Sequence, residues 1–135
     1  MYVIAVRSHY DAAHYLRHYQ GKCERLHGHR YEVEAAFAFD DLGPGGLAYD
    51  FAEAKAHLRA VTDELDHRNL NELPAFAERE TSAEEQARYI YEALAKRLGP
   101  LAECLLYVRV WETPTQWAQY MPGSKGRGDQ GCTCC

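Results

Sequence analysis

The chain lacks any uninterrupted apolar run of the roughly 18 residues that a membrane-spanning helix needs, so we expect no membrane partner. Its N-terminus also lacks the charged start, apolar centre and small-residue cleavage site of a signal peptide, which predicts a cytoplasmic protein. A basic excess is missing as well, because 15 Lys and Arg face 20 Asp and Glu and the net charge is −5. Without a basic patch to displace phosphate counterions, we expect no nucleic-acid partner.

Cysteine is scarce and odd in number, with 5 residues in 135. An odd count in a reducing compartment favours thiols or metal ligands over disulfide bridges. The length and a hydrophobic share of 47% are those of one globular domain. We expect this domain to span residues 1–121, followed over residues 122–135 by a flexible tail rich in Gly and Cys.

Apolar periodicity predicts four strands and two helices. In chain order these are a strand over Tyr2–His14, a strand over His27–Phe39, a helix over Phe51–Leu65, a helix beginning at Ser82, and strands over Glu103–Glu112 and Thr115–Met121. The first helix is expected to bury a stripe of Phe51, Ala54, Leu58, Val61 and Leu65. The order β-β-α-α-β-β is typical of an α+β fold with an antiparallel sheet. Two open sheet edges would favour a symmetric oligomer that joins sheets.

Residues of metal-ligand type surround the start of the second strand. His27 and His29 are separated by Gly28, so their side chains share one face of the strand. His14 ends the preceding strand and approaches them if the two strands pair. Three neutral imidazoles suit Zn²⁺ and leave a fourth coordination position open. The alternative is three separate surface or core histidines.

Cys23 precedes His27 by four residues, and the spacing alone leaves its role open. As a fourth metal ligand it would close the site and make it structural. As a thiolate beside the cation it would be a base or a nucleophile. The remaining alternative is a small buried hydrophobic residue.

Two further candidates carry acid–base or ligand-holding chemistry. Asp66 directly precedes His67, and a carboxylate that orients an imidazole is a general acid–base arrangement. The alternative is a histidine stabilised by the helix dipole beside a solvated carboxylate. Glu112 ends an otherwise apolar strand face, where it would bind a ligand edge with two parallel N–H groups. The alternative for Glu112 is an exposed residue at the end of a strand.

The motifs DAAH, CERLHGH, AYDFAEAK, LDHRNLNELP and WETPT occur in this order over about residues 2–121. In these motifs and their order, the chain resembles the family of 6-pyruvoyl-tetrahydropterin and 6-carboxy-tetrahydropterin synthases. The resemblance implies the tunnelling fold, in which trimers form a continuous barrel, two trimers stack into a homohexamer, and active sites form between subunits. It also implies residue roles: zinc ligands His14, His27 and His29, catalytic Cys23, Asp66 and His67, and a pterin-anchoring Glu112.

The start of the second helix departs from the family pattern, in which a Pro-Thr or Thr-Thr pair opens this helix. Here the stretch reads ETSAEE, so Ser82 replaces one substrate-binding hydroxyl and Ala83 lacks the other.

The resemblance implies a carbon–carbon lyase that converts 7,8-dihydroneopterin triphosphate to 6-carboxy-5,6,7,8-tetrahydropterin, acetaldehyde and triphosphate on the route to queuosine. Two alternatives stay open. One is the 6-pyruvoyl branch, which stops after triphosphate elimination. The other is a non-catalytic, zinc-stabilised oligomer that binds a pterin or purine.

Overall fold

The computed structural model describes residues 1–18, 21 and 24–122. Cys23 and tail residues 123–135 lie outside the described residues, so the roles expected for them stay predictions. The described chain forms seven helices and strands: β1 Tyr2–His14, β2 His27–Phe39, α1 Phe51–Leu65, β3 Arg68–Asn69, α2 Ala83–Leu98, β4 Leu105–Thr113 and β5 Gln116–Tyr120.

A five-stranded sheet in the order β3-β1-β2-β4-β5 forms one layer of the fold. Its longest pairing is the antiparallel hairpin of β1 and β2, whose register runs from Tyr2 opposite Phe39 to His14 opposite His27. β4 pairs antiparallel with β2, and β5 pairs antiparallel with β4. The α+β class expected from the sequence is confirmed.

The four expected strands pair antiparallel, and a fifth strand that the sequence analysis did not expect, β3, runs parallel to β1 at Ala12 and Ala13. Two residues are too few to produce an alternating pattern, so the sequence gives no sign of this strand. The chain reaches it through His67, which has a positive φ of 57°. The His67 N–H donates to the Asp11 carbonyl at 2.7 Å, and this bond aligns the next residues with β1.

Both long helices cover one face of the sheet, which we call the helix face. Four of the five residues expected in the α1 stripe are buried there, whereas Phe51 is 59% exposed and that part of the expectation is wrong. Ser82 caps α2 by accepting a hydrogen bond from the Glu85 N–H at 3.3 Å. A buried Ser8–Thr62 hydrogen bond of 2.8 Å links β1 to α1.

The segment that leads into β4 differs from the expected strand start at Glu103. Gly99–Cys104 forms a 3₁₀ helix with Pro100 in its first turn, so β4 begins only at Leu105. Cys104 is buried and disulfide-bonded, so the expectation of thiols or metal ligands is wrong at this position.

The second face of the sheet, which we call the open face, carries charged side chains. Arg7 pairs with Glu34 at 3.1 Å, and Arg30 pairs with Asp11 at 3.0 Å. Because strand side chains alternate, the even-numbered residues of β1 point to the helices and the odd-numbered residues to the open face. Among the described residues, no helix has the length and apolar character needed to cross a membrane.

Candidate functional site

The β1–β2 register brings the three predicted metal-ligand histidines together. His14 lies directly opposite His27, and His29 lies two pairs further along the hairpin, opposite Ala12. All three rings therefore lie on the helix face at one end of the sheet. The Nε2 atoms of His14 and His27 are 3.0 Å apart, and the ring centroids of His27 and His29 are 4.8 Å apart.

Glu112 on β4 completes the cluster. Its Oε1 atom lies 3.3 Å from the Nε2 of His14 and 3.5 Å from the Nε2 of His29. The carboxylate and the three imidazoles each offer one ligand atom, and these four atoms lie within 4.8 Å of one another. We call these four residues the histidine cluster.

Hydrogen bonds to backbone carbonyls determine which ring nitrogens face the cluster. His14 Nδ1 lies 2.7 Å from the Thr81 carbonyl oxygen, and His27 Nδ1 lies 2.6 Å from the Arg25 carbonyl oxygen. A carbonyl only accepts, so each Nδ1 must carry the proton that it donates. In the neutral ring the Nε2 atom then presents a lone pair to the cluster.

The electrostatics of the cluster fit a bound cation. Burial lowers the pKa of His14 and of His29, which favours neutral rings at pH 7. Two Nε2 lone pairs 3.0 Å apart, beside a carboxylate oxygen, repel one another unless a positive charge lies between them. Ligands about 2.0–2.1 Å from a tetrahedral metal lie roughly 3.3–3.4 Å apart, close to the 3.0–3.5 Å found here. The residues thus fit a metal of zinc type.

The predicted Asp–His pair also forms. Asp66 Oδ2 lies 2.9 Å from His67 Nδ1, so the carboxylate can orient the imidazole. Asp66 Oδ1 accepts a hydrogen bond from the Asp11 N–H at 2.8 Å, which is the main cause of the lowered pKa of Asp66. The sequence gives no sign of this role for Asp11, because the bond depends on the parallel pairing of β3 with β1.

The Asp–His pair lies at the β3 edge of the sheet, beside the Asp11 backbone of β1. The histidine cluster lies on the helix face at the His14 end of the same strand. An open cleft of about 580 Å³ is lined by Asp11, Ala12, Ala13, Gly28, His29, Arg30, His67, Arg68 and Asn69. His29 of the cluster and His67 of the pair therefore border the same cleft.

The roles expected of Ser82 and Cys23 stay predictions. Ser82 uses its hydroxyl to cap α2. Cys23 lies outside the described residues. The sequence gives no sign of a role for Thr81, the residue before Ser82, although its carbonyl orients His14.

Comparison with known proteins places the chain among pterin synthases. Residues 3–123 match the family model for 6-pyruvoyl tetrahydropterin synthase. A 6-carboxy-5,6,7,8-tetrahydropterin synthase from Synechocystis is 35% identical, with 89% of this chain and 93% of the relative covered. The enzyme of the same name from Bacillus subtilis is 32% identical, with 87% of this chain and 84% of the relative covered.

The solved structures agree with the sequence comparison. The Caenorhabditis elegans 6-pyruvoyl tetrahydropterin synthase superposes with a TM-score of 0.82 at 26% identity, covering 90% of this chain and 96% of that chain. The fold and the cluster define an α+β enzyme with two helices on one sheet face and a candidate metal centre at one end. The chain belongs to the 6-pyruvoyl tetrahydropterin synthase family and is a pterin-processing enzyme.

Proposed function

We propose that the protein is a zinc-dependent 6-carboxy-5,6,7,8-tetrahydropterin synthase of queuosine biosynthesis. It takes 7,8-dihydroneopterin triphosphate and water and forms 6-carboxy-5,6,7,8-tetrahydropterin, acetaldehyde and triphosphate. The observation that carries the proposal is the histidine cluster, in which two Nδ1 protons are donated to carbonyls and the Nε2 atoms converge. The names of relatives that are 30–35% identical support the choice of product.

His14, His27 and His29 would hold the zinc ion, which when bound supplies a Lewis acid for the hydroxyls of the substrate side chain. Glu112 would accept two charge-assisted hydrogen bonds from the N3–H and 2-amino groups of the pterin. Its carboxylate is 29% exposed, so one side remains accessible to a ligand.

Two groups would move protons. Cys23, as a thiolate, would take a proton from a side-chain carbon of the substrate. His67, oriented by Asp66 at 2.9 Å, would deliver or relay a proton on the other face of the substrate. The His67 side chain is 80% exposed, so it can reach a substrate held outside its own subunit.

The resemblance to the family supports an active site built between subunits. The sheet offers two edges for assembly, because β5 is the last strand on one side and β3 covers β1 only at Ala12 and Ala13 on the other. Apolar side chains are exposed on these edges: Tyr2, Val3 and Trp117 are 47%, 56% and 51% exposed. We propose a cytoplasmic homohexamer, a dimer of trimers joined through these edges.

A product assay tests the proposal. The zinc-loaded protein is incubated with 7,8-dihydroneopterin triphosphate, and acetaldehyde is the expected product. Cys23→Ala should abolish turnover while about one zinc ion per chain is retained, since three histidines suffice to hold it. Loss of zinc from Cys23→Ala would make Cys23 a ligand and the site structural, which would refute the catalytic role.

A second candidate is the 6-pyruvoyl branch, which the similarity to the C. elegans structure favours. Triphosphate release with a 6-pyruvoyl product and no acetaldehyde would establish this branch instead. Binding of the pterin without any product would indicate a zinc-stabilised binding protein.

A further inference from the structure

A chain of hydrogen-bonded side chains runs through the core behind His14. The Tyr10 hydroxyl donates to Gln86 Oε1 at 2.5 Å, and Gln86 Nε2 donates to the Thr81 carbonyl at 2.7 Å. The same carbonyl accepts the His14 Nδ1 proton at 2.7 Å. Tyr10, Gln86 and Thr81 are each 0% exposed, so the bonded chain is shielded from bulk solvent.

The direction of every bond in this chain is determined by the Thr81 carbonyl. Because a carbonyl only accepts, the amide nitrogen of Gln86 must face it. The Gln86 oxygen is then left to accept, and the Tyr10 hydroxyl must donate to it. Burial raises the pKa of Tyr10 well above its ordinary value, which keeps the hydroxyl protonated.

Thr81 is held from its side-chain end as well. Its hydroxyl donates to the Tyr15 carbonyl at 3.1 Å and lies 3.2 Å from Asn71 Oδ1. Gln86 therefore supplies the restraint on the backbone carbonyl itself. Without that donor the carbonyl could turn away from His14 and leave the Nδ1 atom without a fixed acceptor.

We propose that Gln86 and Tyr10 are positioning residues for the histidine cluster. They hold the Thr81 carbonyl at the place where it accepts the Nδ1 proton of His14, and this directs the Nε2 lone pair of His14 to the metal. The proposal rests on the zinc site of the proposed function and assigns that site an outer layer in α2. Partners of this kind typically change metal affinity by 10–100-fold when removed.

A second hydrogen bond in the core provides a matched control. Ser8 and Thr62 join β1 to α1 by a buried bond of 2.8 Å, just as Tyr10 and Gln86 join β1 to α2. Ser8 lies six residues before His14, about 20 Å along the strand. Thr62→Val removes this bond with little change in shape, so it lowers stability without touching the cluster.

The test measures zinc affinity by competition with a chromophoric chelator, together with thermal unfolding of the metal-free protein. We expect Gln86→Leu to weaken zinc binding at least tenfold and Tyr10→Phe to weaken it by a smaller factor. Thr62→Val should bind zinc as tightly as the wild type despite a lower melting temperature. The absorption spectrum of bound Co²⁺ should shift in Gln86→Leu and not in Thr62→Val, because only the former moves a ligand.

Equal zinc affinities for Gln86→Leu and the wild type would overturn the proposal, as would equal losses in Gln86→Leu and Thr62→Val. If Gln86→Leu does not fold, Tyr10→Phe decides, since it keeps the ring that stacks on Tyr31 at 5.1 Å.

Long-range ¹H–¹⁵N NMR of the metal-free protein gives a readout independent of zinc. It should show His14 protonated at Nδ1 in the wild type and a mixed tautomer in Gln86→Leu, and an unchanged tautomer would overturn the proposal. A wild type with this tautomer but without zinc affinity would instead refute the proposed function alone.

Discussion

Replacing His27 by alanine gives the most direct test of the metal centre. The His27 Nε2 atom lies 3.0 Å from that of His14, and the ring is fixed by its 2.6 Å bond to the Arg25 carbonyl. His27→Ala removes one of the three histidines proposed to hold zinc. Structural zinc sites with four ligands bind with about 10–16 kcal/mol, or about 3 kcal/mol per ligand, so the loss of one histidine corresponds to a factor on the order of 10² in affinity.

Thermal unfolding converts this loss into a temperature. At a free zinc concentration of about 1,000 times the wild-type dissociation constant, binding stabilises the wild type by about 4 kcal/mol. For a variant whose affinity is about 100-fold weaker, the same zinc concentration gives only about 1.4 kcal/mol. At about 4 °C per kcal/mol for a chain of this size, zinc should raise the melting temperature by about 16 °C in the wild type and by about 6 °C in His27→Ala.

His9→Ala is the matched control, because His9 is an exposed histidine of β1 on the open face. We expect zinc to raise its melting temperature as much as that of the wild type. The same zinc-induced rise in His27→Ala and His9→Ala would refute the assignment of the cluster as a metal centre.

Three further predictions concern the neighbours of this site. Glu112→Gln should weaken pterin binding at least tenfold, since charge-assisted hydrogen bonds contribute about 1.5–3 kcal/mol each. The zinc affinity of this variant should stay within about tenfold of the wild-type value. Loss of zinc in a chelator competition would make Glu112 the fourth ligand. Asp66→Asn should lower kcat with zinc affinity unchanged, because the imidazole loses its orienting carboxylate, and an unaltered kcat would contradict the proton-relay role. Burial lowers the pKa of His14 and of His29 below the ordinary value of 6.5, so the unfolded chain binds more protons than the folded chain as the pH falls. In urea unfolding, the free energy of unfolding of the metal-free protein should therefore fall as the pH drops below about 6.5. His14→Gln should make this fall smaller. A higher free energy of unfolding at pH 5.5 than at pH 7.5 would contradict the burial of neutral histidines in the cluster.

The sequence predicts the long elements of the fold well because their patterns are strong. The bounds of β1, β2 and α1 agree with the expected ones, since thirteen-residue strands and a fifteen-residue helix repeat their pattern several times. The two-residue strand β3 has no repeat to detect. Phe51 matches the helical period of α1 but is exposed, because periodicity identifies a face and not how far the sheet extends beneath it.

The sequence predicts the proximity of the candidate site residues where it depends on strand parity and not where it depends on pairing between distant segments. The positions of His27 and His29 on one face follow from alternation, and His14 joins them through the adjacent hairpin. The approach of Glu112 to the cluster depends on the register of β4 against β2, which shifts at Ala36. No local pattern encodes that register.

The hydrogen-bonded chain behind His14 could have been suspected from one residue. Gln86 adjoins Ala87 at the start of the apolar stripe of α2, and a buried amide is costly unless it is hydrogen-bonded. Its partners could not be named, because Tyr10 is 76 residues away in the chain.

The open edges of the sheet, through which we propose that chains assemble with shared active sites, have a consequence for genetics and for assays. If neighbouring chains complete each other's reaction centres, two inactive variants can be mixed to recover function. His27→Ala supplies an intact Asp66 and Asp66→Asn supplies intact histidines, so co-assembled chains should regain part of the turnover that neither has alone. By the same logic, turnover per chain should fall on extreme dilution, even though every polypeptide remains folded.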